Sequence, residues 1–157
     1  MIEFSGEGLV LHLADDAMRQ MVREVRRHRR SETGGVLIGF YSEDLCCVHV
    51  LEATGPGRFS FHAPFAFMRG VKDLQRAVDS AGADGLYYVG EWHSHPGRSA
   101  SPSAQDIRQM REISASDGYN CPEPVLIVIG GADPLKHISA HVIMGKRTIE
   151  LKKGVSG

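Results

Sequence analysis

The last third of the chain carries three apolar runs in succession, PVLIVIGG (124–131), HISAHVIM (137–144) and TIELKK (148–153). Turn residues separate them and no helical period intervenes, so they read as consecutive strands. A chain ending this way cannot be a strict alternation of strand and helix. Upstream, GLVLHLA (8–14), GGVLIGFYS (34–42), LCCVHVLEAT (45–54) and LYYVGEWHSH (86–95) also read as strands. An acidic turn around Glu43 and Asp44 joins the middle two. Ala17, Met18, Met21, Val22 and Val25 recur at helical spacing after Asp15 or Asp16, either of which could serve as N-cap. Further helices are expected from about Phe65 to Ala81, with Phe67, Val71, Leu74 and Val78 on one face, and from Ser103 onward, with Ile107, Met110 and Ile113 buried. Strands with about three helices out of strict alternation imply an α+β fold with a mixed sheet, one domain over 1–157.

Composition narrows the function classes. With 18 Lys+Arg against 19 Asp+Glu, the formal net charge of −1 gives no general attraction to nucleic acid or an anionic membrane. No apolar run approaches the ~20 residues of a membrane helix. The start, MIEFSGEGLV, lacks the pattern of a signal peptide, so a cytoplasmic location is expected. Cys46, Cys47 and Cys121 show no metal-ligand spacing and are expected as small core residues in a reducing compartment.

Chemistry concentrates in GEWHSHPGRSASPSAQD (90–106). On a strand, His93 and His95 project to one face and Trp92 and Ser94 to the other. Two imidazoles on one face suit a zinc ion at ~2.0–2.1 Å, just off the strand end. Ser103-x-x-Asp106 resembles a capping box, which would start a helix and turn Asp106 toward the loop returning from His95. Two imidazoles and one carboxylate leave a fourth tetrahedral position open, as in catalytic zinc sites. Hydrolysis also needs a base. Glu91 is two residues before His93 and shares its face. Glu32, in SETGGVLIG, stands at the entrance of a strand expected beside VGEWHSH, where Gly34 and Gly35 would let another backbone approach closely. Spacing leaves both carboxylates open.

Glu32, His93-Ser94-His95-Pro96, then Ser103 and Asp106, with seven residues between His95 and Ser103, resembles the signature of the JAMM (MPN+, JAB) metalloproteases. ETGGVLIG, GEWHSHP and PSAQD are similar to compact bacterial members, and the order of elements matches over nearly the whole chain. The resemblance implies an α/β sandwich around a curved mixed sheet, a cytidine-deaminase-like architecture. It implies one zinc held by His93, His95 and Asp106, Glu32 as general base and acid, and Ser103 supporting the oxyanion. Glu91 then becomes a rim residue or one standing behind a ligand.

The implied activity is cleavage of the amide bond after the C-terminal glycine of a ubiquitin-like modifier, in bacterial antiphage or ubiquitin-like conjugation systems with E1- and E2-like partners. The modifier's tail would add as a strand beside the site, with 55–61 or 96–102 lining its channel. Two other readings stay open. Relatives release cysteine or a short peptide from a sulfur-carrier protein, and some MPN domains are scaffolds without metal, though these usually lack one of the motif positions. Elsewhere, Arg23, Arg26, Arg27, Arg29 and Arg30 read as a solvated helix face. His12, His49 and His141 read as structural histidines within strands, Trp92 as core, and KKGVSG (152–157) as a frayed tail. His62 is placed near the cleft.

Overall fold

The computed structural model describes residues 1–56 and 78–155. Eight strands form one sheet: β1 (Ile2–Gly6), β2 (Leu9–Leu13), β3 (Gly34–Tyr41), β4 (Cys47–Ala53), β5 (Tyr87–Pro96), β6 (Val125–Gly131), β7 (Ile138–Met144) and β8 (Arg147–Lys153). Their spatial order is β1-β2-β4-β3-β5-β6-β7-β8, and the sheet closes into a barrel because β1 pairs with both β2 and β8. It is mixed, as expected: β2–β4 and β5–β6 run parallel and every other pair antiparallel.

The curvature expected of a sandwich is carried here to closure. The strand that completes the ring is β1, IEFSG, a stretch whose polar alternation gave no strand signal. Its backbone fills the gap between β2 and β8 through Phe4↔Lys153 and Ser5↔Lys152. Lys152 and Lys153 therefore belong to β8 rather than to a tail, and the Gly154 amide still donates to the Glu3 carbonyl at 2.8 Å.

Helix α1 (Asp15–Arg27) lays Ala17, Met18 and Met21 into a cluster with Phe4, Leu11, Leu13, Val50, Trp92 and Ile127. Each large apolar side chain fully buried there contributes ~1.5–3 kcal/mol. Its N-cap is Ala14, with no side-chain cap, one residue before the expected aspartates. Asp15 and Asp16 instead sit in the first turn, where negative charge meets the positive end of the helix dipole. The five arginines of the run are exposed, and Arg27 reaches back to the buried Glu24 at 3.4 Å.

Helix α2 (Ala104–Ala115) packs on β7 and buries Met110 and Ile113 in a second cluster with Val36, Ile38, Tyr88, Leu126, Val128 and Cys121. The two clusters lie on opposite faces of β5. Residues 78–82 are helical; the rest of the helix expected over 65–81, along with His62 and most of the 55–61 loop, lies outside the described residues.

The cysteines depart from expectation. Only Cys121 is buried; Cys47 is half-buried on β4, and Cys46 is exposed in the turn before it. That turn is organised by Asp44 Oδ1, which accepts from the Ser42 hydroxyl at 2.7 Å and from the Cys46 amide at 3.0 Å. The turn therefore extends two residues further, and Cys46 never enters the strand.

Candidate active site

β5 is the spine of the site. It runs antiparallel to β3, with Gly34 opposite His93, and parallel to β6, with His95 level with Gly130. A Cβ on Gly34 would stand 2.4 Å from the Trp92 carbonyl, and one on Gly35 would stand 2.1 Å from that of Thr54. The glycine pair thus permits the close backbone approach that its sequence position suggests. Alternation sends Trp92 into the α1 cluster, where its indole N–H donates to the Thr54 carbonyl at 2.9 Å. Ser94 points the same way, its Oγ accepting from the Thr33 amide at 2.9 Å. His93 and His95 consequently face α2.

A bulge adjusts this alternation upstream. Leu37 pairs with Gly90 and Ile38 with Tyr88, so Val89 is the extra residue. Gly90 is required at this point, because a Cβ would lie 2.0 Å from the Val125 carbonyl. The extra residue puts Tyr88 and Glu91 on the same face despite their odd spacing. The Tyr88 hydroxyl donates to Glu91 Oε1 at 3.0 Å. Glu91 is fully buried, and its Oε2 stands 3.5 Å from His93 Nε2, an electrostatic contact without hydrogen-bond geometry.

The start of α2 supplies the third group. Ser103 is its N-cap in a complete capping box: Ser103 Oγ accepts from the Asp106 amide at 3.0 Å, and Asp106 Oδ2 accepts from the Ser103 amide at 2.8 Å. The same carboxylate meets both imidazoles, Oδ1 with His93 Nδ1 at 3.1 Å and Oδ2 with His95 Nε2 at 3.1 Å. Capping and convergence on the histidines are therefore one arrangement.

Two imidazoles and a carboxylate are donor types that suit zinc. Two donors bound at ~2.0–2.1 Å on a tetrahedral cation stand ~3.3 Å apart, close to the separations of Asp106 from each imidazole. A ligating histidine commonly has a carboxylate at its other ring nitrogen, which is where Glu91 stands behind His93. Local electrostatics favour positive charge. Burial opposes an imidazolium at His93, yet Asp106 and Glu91 outweigh it and raise the pKa to about 9. Burial likewise works against ionised Asp106, but its bonds to His93 and His95 hold it well below the usual carboxylate range. Burial pushes Glu91 upward, with His93 and Tyr88 opposing.

Glu32 occupies the rim. The Ser94 amide donates to the Thr33 carbonyl at 2.9 Å, holding the residue after Glu32 against β5. Its exposed carboxylate pairs with Arg98, in the 97–102 connection. The structure thus gathers His93, His95, Asp106 and Ser103, sets Glu91 behind them, and places Glu32 at the edge on an arginine. Tyr88 and Arg98 were not anticipated. For Tyr88 the signal was Gly90, a glycine inside a strand pattern, which marks a bulge.

The family model of prokaryotic homologues of the JAB domain matches residues 14–143. The chain is 43% identical over 135 residues to a CD-NTase/cGAS isopeptidase of Enterobacter hormaechei subsp. hoffmannii (strain UCI 50), covering 85% of this chain and 74% of that protein. It is 27% identical over 128 residues to a probable metalloprotease of Sinorhizobium fredii (strain NBRC 101917 / NGR234), covering 78% and 76%. In fold it is similar to a protein of Desulfitobacterium hafniense solved in solution, with TM-score 0.63, 24% identity and 90% of each chain covered. A Salinibacter ruber protein gives TM-score 0.56 at 20% identity, covering 92% of this chain and 88% of that one.

Proposed function

Because the chain belongs to the prokaryotic homologues of the JAB domain and is a metalloprotease of that family, we propose that it is a zinc isopeptidase cutting after the C-terminal glycine of a ubiquitin-like modifier. What supports the reading is that His93 and His95 each lie 3.1 Å from an oxygen of the capping carboxylate Asp106. His93, His95 and Asp106 would hold the cation, which would supply Lewis acidity toward water and the scissile carbonyl. Glu32 takes the proton of the attacking water and returns it to the departing lysine or peptide nitrogen, turning away from Arg98 to do so. Ser103 Oγ already accepts from the Asp106 amide, which leaves its O–H free to donate to the developing oxyanion. One such donor is worth ~3–4 kcal/mol. Glu91 is a positioning residue that fixes the ring of His93.

Support for the target comes from the Enterobacter relative, which is named a CD-NTase/cGAS isopeptidase. By that likeness, the substrate is a modifier joined to a CD-NTase-type enzyme in an antiphage conjugation system. The modifier's tail cannot pair along β5, which β3 and β6 flank on both sides. It crosses the strand ends instead, between Glu32 and the 97–102 connection.

The test is cleavage of ubiquitin-like fusions by purified protein, with chelator, with zinc restored, and with Glu32→Gln. Release of the modifier at its terminal glycine should stop under chelator, return with zinc and be nearly lost in the variant. Undiminished cleavage in chelator, or by Glu32→Gln, would sink the assignment.

A further inference from the structure

A second group of metal-ligating side chains lies on another part of the barrel, across β1, β2 and β4. In the parallel pairing of β2 with β4, His12 lies opposite His49 and Val10 opposite Cys47, so Cys47 and His49 share a face of β4 with His12 beside them. One donor atom from each of His12, Cys47 and His49 lies within 4.8 Å of the other two. Cys47 Sγ is 3.4 Å from His49 Nε2. A thiolate at ~2.3 Å and an imidazole at ~2.0–2.1 Å on one tetrahedral cation stand ~3.5 Å apart, so this pair already has nearly the spacing of two ligands. From β1, Glu3 sits opposite His12, and its Oε2 is 3.3 Å from His12 Nε2. All three central residues are half-buried, and Phe40 from β3 stacks on His49 with ring centroids 4.6 Å apart.

We propose that His12, Cys47 and His49, with Glu3 completing the set, form a second site for a thiophilic divalent cation, separate from the β5–α2 centre. One sulfur, two nitrogens and one carboxylate suit zinc or cobalt and disfavour magnesium and calcium, which take all-oxygen shells. Without the ion, burial and the neighbouring His12 keep His49 below its ordinary pKa, hence neutral and ready to ligate. Burial, Asp44 and Glu3 keep the Cys47 thiol protonated, so binding releases a proton. The bound ion would tie the β1–β2 hairpin to β4 and act on stability. Cys47-x-His49 alone is too slight a pattern to reveal such a site, because the third ligand comes from a strand 35 positions earlier.

Cobalt binding followed by absorption separates the two centres, because only this one contains sulfur. Full-length His93→Ala protein, with the β5 site disabled, should bind cobalt with a near-ultraviolet sulfur-to-cobalt charge-transfer band. Cys46→Ser should keep the band; Cys47→Ser should abolish it and lose one equivalent of bound metal. Should Cys47→Ser not fold, His12→Gln and His49→Gln serve in its place, each expected to lose the same equivalent. Absence of the band in His93→Ala, or its survival in Cys47→Ser or in both histidine variants, overturns the proposal. Failure of the β5 centre would appear separately, as wild-type metal content unchanged by His93→Ala.

Discussion

The two histidine clusters use the same geometric rule in different surroundings. At β5, two histidines two residues apart meet a carboxylate fixed by a helix cap, and a fully buried Glu91 stands behind one of them. At β2 and β4, histidines meet side by side across a parallel pair, a cysteine replaces the capping carboxylate, and the nearby Glu3 is exposed. The first cluster is locked by a helix cap and a buried carboxylate; the second relies on strand pairing and one stacked ring. Catalysis needs the stiffer arrangement, because small displacements of positioned groups are costly to rate. A site that only clips strands together does not.

If that contrast is right, removing the base should separate the clusters most widely. Glu32→Gln should lower peptidase kcat by ~10²–10⁴-fold, whereas His12→Gln should leave it within about twofold, measured on one fusion substrate. A large loss in His12→Gln would erase the distinction. Next in size is Ser103. Glycine is nearly as good an N-cap as serine, and alanine costs ~1 kcal/mol. Ser103→Gly should therefore unfold within a few tenths of a kcal/mol of wild type and still lose ~10²-fold in kcat, isolating the hydroxyl from the cap.

Glu91 tests the locking groups directly. Glu91→Gln should weaken metal binding at the β5 site by ~10–100-fold in competition with a chelator, and the exposed Glu3→Gln should weaken cobalt at the other site by less.

The smallest effect is in pH dependence of the metal-free protein, where the clusters should act oppositely. His93 is raised from 6.5 to about 9. Its contribution is complete below pH 6.5 and is lost as pH rises toward 9. His49 is lowered, so its contribution is complete above 6.5 and is lost as pH falls through its folded value. Chemical denaturation of chelated protein should show both limbs, with His93→Gln flattening the alkaline one and His49→Gln the acid one.

Legibility in the sequence followed the same division. Seven strands and the positions of α1 and α2 could be read from apolar runs and helical spacing, because those segments bury one face or, as in β3, β5 and β6, both. β1 could not, since only Phe4 of its five residues is buried and its role is to close a ring. His93, His95 and Asp106 were legible because one strand, one loop and one cap bring them together within 14 residues. His12 with His49 was not, because strand adjacency in a parallel pair leaves no trace in spacing. Glu91 stood in plain view as a candidate base, but its full burial against the Tyr88 hydroxyl left no trace in spacing.

The supernumerary Val89 has a further consequence. It sets the phase of everything from Gly90 to Pro96, so dropping or adding a single residue there would turn the imidazoles inward and the indole outward at one stroke. This stretch is bound to its length as firmly as to Gly90 and its two histidines. An inserted residue is accommodated more readily beyond Pro96 or before Tyr87, outside the phase that the bulge sets.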